Sequence, residues 1–180
     1  MAQNVVLRPD VDDHALFTSW LAGEDPVTLD YVDGGVFGRP ITHAGVCSGY
    51  GQYADRFSET RYPWRAGNLL SCVSFYAVTE GQACGHVDCL TVDSPVLQGS
   101  VGWLFMVYVP AHLRGKGLGT EMIRQALMPE RFSGDVRRVY ITVLEGNVKA
   151  QQFYARLGFH LAFTQEFPGG ARIQVMACAV

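Results

Sequence analysis

The segment Val107-Tyr-Val-Pro-Ala-His-Leu-Arg-Gly-Lys-Gly-Leu-Gly-Thr120 decides how this chain is read. Apolar residues run up to Val109, and Pro110 stops them. Gly115, Gly117 and Gly119 then alternate with Arg114, Lys116 and Leu118, and an amphipathic pattern begins. The order is strand end, glycine-rich loop, first helical turn. Glycine reaches backbone angles that other residues avoid and lets a ligand touch the main chain. The free N–H groups at a helix start attract anions, and the helix dipole adds partial positive charge there. Arg114 and Lys116 add full charges. A pyrophosphate held by the N–H groups from Arg114 through Gly115, Lys116, Gly117, Leu118 and Gly119 to Thr120 is the natural guest.

Three phosphate loops compete. A Walker A loop requires glycine, four residues, then Gly-Lys-Ser/Thr, and that spacing is absent. A dinucleotide fingerprint requires G-x-G-x-x-G. Here Gly115-x-Gly117 is followed by Thr120 where the third glycine belongs. Its acidic partner is also poorly matched, because Asp135 precedes the next strand and Glu145 comes late. The third possibility, Arg114-x-x-Gly117-x-Gly119 after an apolar strand, is similar to the acyl-CoA loop of the GCN5-related N-acetyltransferase (GNAT) family. That family's later marker is Asn-x-x-Ala, then Phe-Tyr, then x-x-Gly-Phe. It is matched by Asn147, Ala150, Phe153, Tyr154, Gly158 and Phe159. The resemblance covers Leu69 to Val180, and more loosely the opening strand and helix.

Patterning predicts a mixed α/β fold. A short strand spans Asn4 to Arg8. Asp12 or Asp13 caps a helix to about Ala22, with Leu16, Phe17, Trp20 and Leu21 inward. Leu69–Thr79 and Ala83–Val92 read as a hairpin about Glu80-Gly-Gln. Val101–Val109 is nearly all apolar and therefore buried on both faces. The helix 117–128 ends at Pro129, and Arg138–Leu144 is the next strand. The helix 147–157 turns Ala150, Phe153, Tyr154 and Leu157 to one side, with Gly158 as its C-cap. Phe159–Phe167 and Ala171–Cys178 form a terminal hairpin around Pro168-Gly-Gly170. The strands at 101–109 and 138–144 make a right-handed parallel unit. The resemblance implies a central sheet of about six to seven strands flanked by helices, in which these two parallel strands splay apart and admit the pantetheine arm.

The 180 residues suit a single domain, 1–180, with 101–159 as its acetyl-CoA-binding core. Residues 23–65 are an irregular excursion, with short helices expected around Gly51 to Phe57, and such excursions often carry function. A net charge of −3 and pI near 5.9 argue against a general nucleic-acid binder. The five cysteines (Cys47, Cys72, Cys84, Cys89, Cys178) include no C-x-x-C, which favours buried thiols over a metal site. No apolar run suggests a membrane helix and no basic leader opens the chain, so a cytoplasmic protein is expected.

The resemblance assigns roles. Val107 and Val109 would offer main-chain groups to the pantetheine amides, and a main-chain N–H near Val109 would meet the oxyanion. Asn147 would bond the pantetheine arm, although an N-cap is the simpler function for its position. Tyr154 would protonate the departing thiolate. Tyrosine titrates near ~10 and a thiol near ~8.5, so that proton must move together with C–S cleavage. The strand 101–109 carries no acid. The candidate bases therefore lie on the preceding strand, where His86, Asp88 and Leu90 share a face opposite Val87 and Cys89. An ordinary exposed polar face is the competing explanation. His112 belongs to the loop.

No cysteine has the context of a covalent relay, so direct transfer from acetyl-CoA to a primary amine is implied, by a monomer or homodimer. A weak base suits an α-amine, near ~7.8, better than a lysine, near ~10.4. Val6-Leu-Arg-Pro is similar to the branch that acetylates ribosomal-protein N-termini. The glycine loop and the acids and aromatics of the excursion (Glu24, Asp25, Asp30, Tyr31, Asp33, Tyr50, Tyr53, Asp55, Glu59) are loosely similar to aminoglycoside 6′-acetyltransferases. Both acceptors stay open, as does a non-catalytic acyl-CoA sensor.

Overall fold

A computed structural model of the chain describes residues 4–9, 15–24, 67–166 and 172–180. The expected cap at Asp12 or Asp13, the short helices near 51–57, the 168–170 turn and Cys47 lie outside these residues. Seven strands and three α-helices are described: β1 (Val6–Pro9), α1 (Ala15–Leu21), β2 (Asn68–Thr79), β3 (Gln82–Ser94), β4 (Gly99–Tyr108), α2 (Leu118–Ala126), β5 (Arg138–Leu144), α3 (Val148–Arg156), β6 (His160–Glu166) and β7 (Arg172–Ala179). The sheet order is β1-β2-β3-β4-β5-β7-β6, antiparallel except for the β4–β5 pair.

Each element has a local cause. The β2–β3 hairpin turns at Glu80 and Gly81, both at positive φ (50° and 78°), as a two-residue hairpin demands. The α2 helix turns Leu118, Met122, Ile123 and Ala126 inward and is followed by a 3₁₀ turn at Pro129–Arg131. Gly158, at φ 91°, closes α3. The alternation along the strands feeds two cores. On one face of the sheet Tyr76, Leu90, Trp103, Phe105 and Tyr108 form a core with Phe17 and Leu21 of α1. The other holds Cys89, Leu104, Val139, Ile141, Met176 and Phe159, under the apolar sides of α2 and α3. Within α1, Phe17 and Leu21 are buried as expected, but Leu16 is 41% exposed and does not belong to the inner face.

The parallel pair is the unusual joint. β4 and β5 are registered only at Gly102↔Val139 and Trp103↔Tyr140. Gly102 permits this contact, since a Cβ there would lie 2.7 Å from the Phe132 ring and 2.9 Å from Val139 Cγ2. Beyond Trp103 the two strands share no further register, although β4 continues to Tyr108 and β5 to Leu144. This is the splay that the resemblance implied.

Candidate active site

The gap between the splayed strands is a cavity of about 590 Å3. Its walls include Leu104 to Val109 from β4 and the residue after it, Ile141 to Val143 from β5, Leu113 to Gly115 and Gly117 to Thr120 from the loop and first turn of α2, and Asn147, Ala150, Phe153 and Tyr154 from α3 and its N-cap. The two sequence markers, separated by a strand, thus converge on one groove.

A bulge in β4 sets which way that groove is lined. His86 on β3 pairs with Tyr108, but Asp88 pairs with Phe105, so β4 carries one extra residue between the two pairs. Met106 sits there at φ +48°. A left-handed non-glycine residue costs about 1–3 kcal/mol and persists only where neighbours hold it. The insertion reverses the side-chain phase. Phe105, Met106 and Tyr108 all join the core under α1, whereas Val107 and Val109 pack toward α2 and α3. Without the bulge, Tyr108 would point to the opposite face. The sequence offered no signal for the bulge, because Met106 is not a glycine.

His86 and Asp88 share a face, as the alternation required, but that face is not exposed. They retain 0% and 2% of their accessible surface. His86 stacks on Phe17 with centroids 4.1 Å apart and meets Tyr76 edge-on. Its Nδ1 lies 3.3 Å from the Met106 carbonyl oxygen, and its Nε2 lies 3.6 Å from Asp88 Oδ1. Phe17 of α1 covers His86, a contact that strand patterning does not reveal. Neither residue lines the cavity.

The α3 helix begins at Asn147, whose Oδ1 accepts the Ala150 N–H at 3.1 Å. Asn147 is therefore an N-cap, and it also lines the cavity. Tyr154 packs edge-on against Phe153 and Phe159 and is buried, with its ring at the cavity wall. Burial pushes its hydroxyl pKa well above the ordinary tyrosine value, which keeps the group protonated.

In the loop, Gly115 and Gly117 adopt φ 78° and 81°, the left-handed region that their neighbours could not take cheaply. Gly117 is the N-cap of α2, and the first-turn N–H groups, without helical partners, belong to residues of the cavity wall. Lys116 is exposed beside them. Arg114 departs from expectation. Its N–H already donates to Ala111 O at 3.2 Å, so the groups offered to an anion begin at Gly115. Its side chain also turns away from the loop, with Nε donating to Val109 O at 2.8 Å and the terminal nitrogen to Glu24 Oε1 at 2.7 Å. Tyr108 donates its hydroxyl to the same Glu24 oxygen, and the Arg114 guanidinium lies 5.5 Å from the Tyr108 ring centre. Burial and the Glu24 carboxylate raise the Tyr108 pKa, with Arg114 opposing. Glu24 was legible only as one acid among many in the excursion, because its partners lie 84 and 90 residues away.

The comparisons agree with this geometry. The acetyltransferase (GNAT) family model matches residues 18–159. "Probable spermine N(1)-acetyltransferase" of Bacillus subtilis subsp. natto (strain BEST195) is 30% identical over 67 residues, 37% of this chain and 44% of that protein. The chain thus aligns with less than half the length of that curated relative. An acetyltransferase from Thermus thermophilus superposes with TM-score 0.63 at 16% identity, covering 98% of this chain and 97% of that one. Aminoglycoside acetyltransferase AAC(6′)-Ib in complex with coenzyme A gives 0.63 at 19%, with 98% and 95% covered. Arabidopsis thaliana Naa50 with the bisubstrate analogue CoA-Ac-MVNAL gives 0.58 at 16%, with 98% and 99% covered. With the family model spanning most of its length and its fold shared with these structures, the chain belongs to the GNAT acetyltransferase family.

Proposed function

We propose that the protein is an N-acetyltransferase that moves an acetyl group from acetyl-CoA to a primary amine by direct transfer. One observation carries this reading: the glycine loop and Tyr154 line a single cavity between β4 and β5. The N–H groups from Gly115 to Thr120, with Lys116 beside them, suit a pyrophosphate. The main chain at Val107 and Val109, together with Asn147, suits the amides of a pantetheine arm. The neutral amine attacks the thioester carbonyl, a main-chain N–H near Val109 steadies the oxyanion, the C–S bond breaks as the Tyr154 hydroxyl passes its proton to sulfur, and the surplus proton on the acylated nitrogen returns through solvent to the tyrosinate. Holding both reactants in one groove supplies much of the rate.

Direct transfer is supported by the thiols. Among the described residues no cysteine lines the cavity. Burial raises the pKa of Cys72 to about 12 and that of Cys178 to about 11, and raises Cys84 and Cys89 as well, so thiolate nucleophiles are scarce. His86, with Asp88 beside it, is assigned to holding the Met106 carbonyl rather than to direct contact with the amine. The similarity to a protein named for spermine acetylation supports a small polycationic amine ahead of a peptide N-terminus.

Titration calorimetry with acetyl-CoA, with NAD as control, tests the reading. Binding of acetyl-CoA alone, followed by turnover within a panel of spermine, aminoglycosides and N-terminal peptides, is the expected result. Absence of acetyl-CoA binding overturns the assignment. Binding without turnover of any amine points to a sensor.

A further inference from the structure

The Arg114 side chain occupies the position where a phosphate ligand is expected, yet its contacts run the other way. Nε and a terminal nitrogen reach Val109 O (2.8 Å) and Glu24 Oε1 (2.7 Å), which belong to the strand end and to the turn after α1. Tyr108 closes the set by donating to the same carboxylate oxygen and lying beneath the guanidinium. Trp20 of α1 stacks over Tyr108, with centroids 6.1 Å apart and planes 29° apart. Five contacts therefore join three pieces of chain: α1 with the turn that ends it, the end of β4 and the start of the cofactor loop. Glu24 is mostly shielded, its side chain retaining 10% of its accessible surface, whereas Arg114 retains 44%. A planar guanidinium makes two directed bonds at once, which a lysine ammonium on a flexible stem does not reproduce.

We propose that Arg114 is a positioning residue, a strut that fixes the cofactor loop to α1 through Glu24, and that its guanidinium is not a ligand of the coenzyme's phosphates. The proposal rests on the acetyl-CoA reading for its binding test, but not for its stability test. The strut holds Val109, whose main chain is the proposed oxyanion donor, and it holds the turn from which residues 25–66 depart. Loop geometry on the cofactor side and the turn that ends α1 are then set by the same ion pair.

The two roles predict opposite signs. For a phosphate ligand, removing Glu24 releases the arginine and tightens coenzyme binding, while Arg114→Gln weakens it and Arg114→Lys largely preserves it. For a strut, Glu24→Gln, Arg114→Gln and Arg114→Lys all loosen the loop and weaken coenzyme A binding by a similar factor, about three- to tenfold, the size of a partly exposed charge-assisted contact. The double variant Glu24→Gln/Arg114→Gln should then be no worse than either single one. Calorimetry with coenzyme A on the four variants and the wild type reads this directly.

Thermal unfolding of the ligand-free proteins gives an independent reading. A strut makes the two melting-temperature losses non-additive, with the double variant close to the worse single one. Tighter coenzyme A binding by Glu24→Gln, or additive losses in the ligand-free protein, overturns the strut. A wild type that binds no coenzyme A overturns the acetyltransferase reading and leaves the unfolding cycle to decide the strut.

Discussion

His86 Nδ1 lies 3.3 Å from the carbonyl oxygen of Met106, the one non-glycine β4 residue at positive φ. A buried imidazole thus holds the bulge that turns Tyr108 toward α1 and Val109 toward α2 and α3. His86→Phe keeps a ring to stack on Phe17 but loses the nitrogen. It should cost about 1–3 kcal/mol by denaturant unfolding, the range for a buried carbonyl left without its donor. His86→Asn places an amide N–H near the lost Nδ1. If the histidine acts through the bulge, kcat should recover in His86→Asn relative to His86→Phe. A direct base would show no such rescue.

Tyr154→Phe removes the hydroxyl from the cavity wall and leaves the packing against Phe153 and Phe159. General acids contribute ~10²–10⁴-fold, so kcat should fall by about 10²-fold, with acetyl-CoA affinity little changed. Because burial holds the Tyr154 hydroxyl in its protonated form, its ionisation should impose no alkaline limb on the wild-type profile below about pH 10. Survival of turnover within about twofold removes Tyr154 from the mechanism.

The loop glycines should separate by geometry. Gly117 sits at φ 81°, so Gly117→Ala forces a side chain into the left-handed region, at a cost of roughly 1–2 kcal/mol, and displaces the N–H groups that begin α2. A Cβ at Gly119 would lie 3.5 Å from Phe153 and 3.6 Å from Val109, which is ordinary contact. Calorimetry with coenzyme A should find Gly117→Ala weakened by about tenfold, in line with a strain of that size, and Gly119→Ala close to wild type.

Alkaline stability follows from the thiols. Their folded-state pKa values are raised, so below about pH 9 thiols are protonated in folded and unfolded chains alike, and the full stability is present. As pH rises from 9 toward the 11 of Cys178 and the 12 of Cys72, the unfolded chain loses protons that the folded chain keeps, and stability falls. Urea midpoints measured from pH 7 to 11 should be flat to about 9 and then decline. Cys72→Ser should flatten the decline.

Much of this was legible because the signals were local. Alternation placed His86 with Asp88, helical spacing placed Ala150, Phe153 and Tyr154 on one side, and three glycines marked the loop. What escaped was set by distant contacts. The strand pattern made His86 and Asp88 look exposed because it carries no information about what covers them. Arg114 reads locally as an anion ligand, and its pairing with Glu24, 90 residues earlier, is invisible to any local window. The bulge at Met106 was hidden for a related reason: the register of β3 against β4, and not the residue type, requires its backbone angle.

The two-rung joint between β4 and β5 leaves the remainder of each strand as an edge inside the sheet. Edges of that kind are templates for pairing with other chains, and proteins usually blunt them with charge, proline or a cover. Here α3 and the glycine loop flank the opening and restrict it to something slender. A cleft flanked in this way offers those strand edges less freely to a second polypeptide. The opening needed for recognition thereby carries its own protection against aggregation, and a coenzyme lying in it would lower that hazard further.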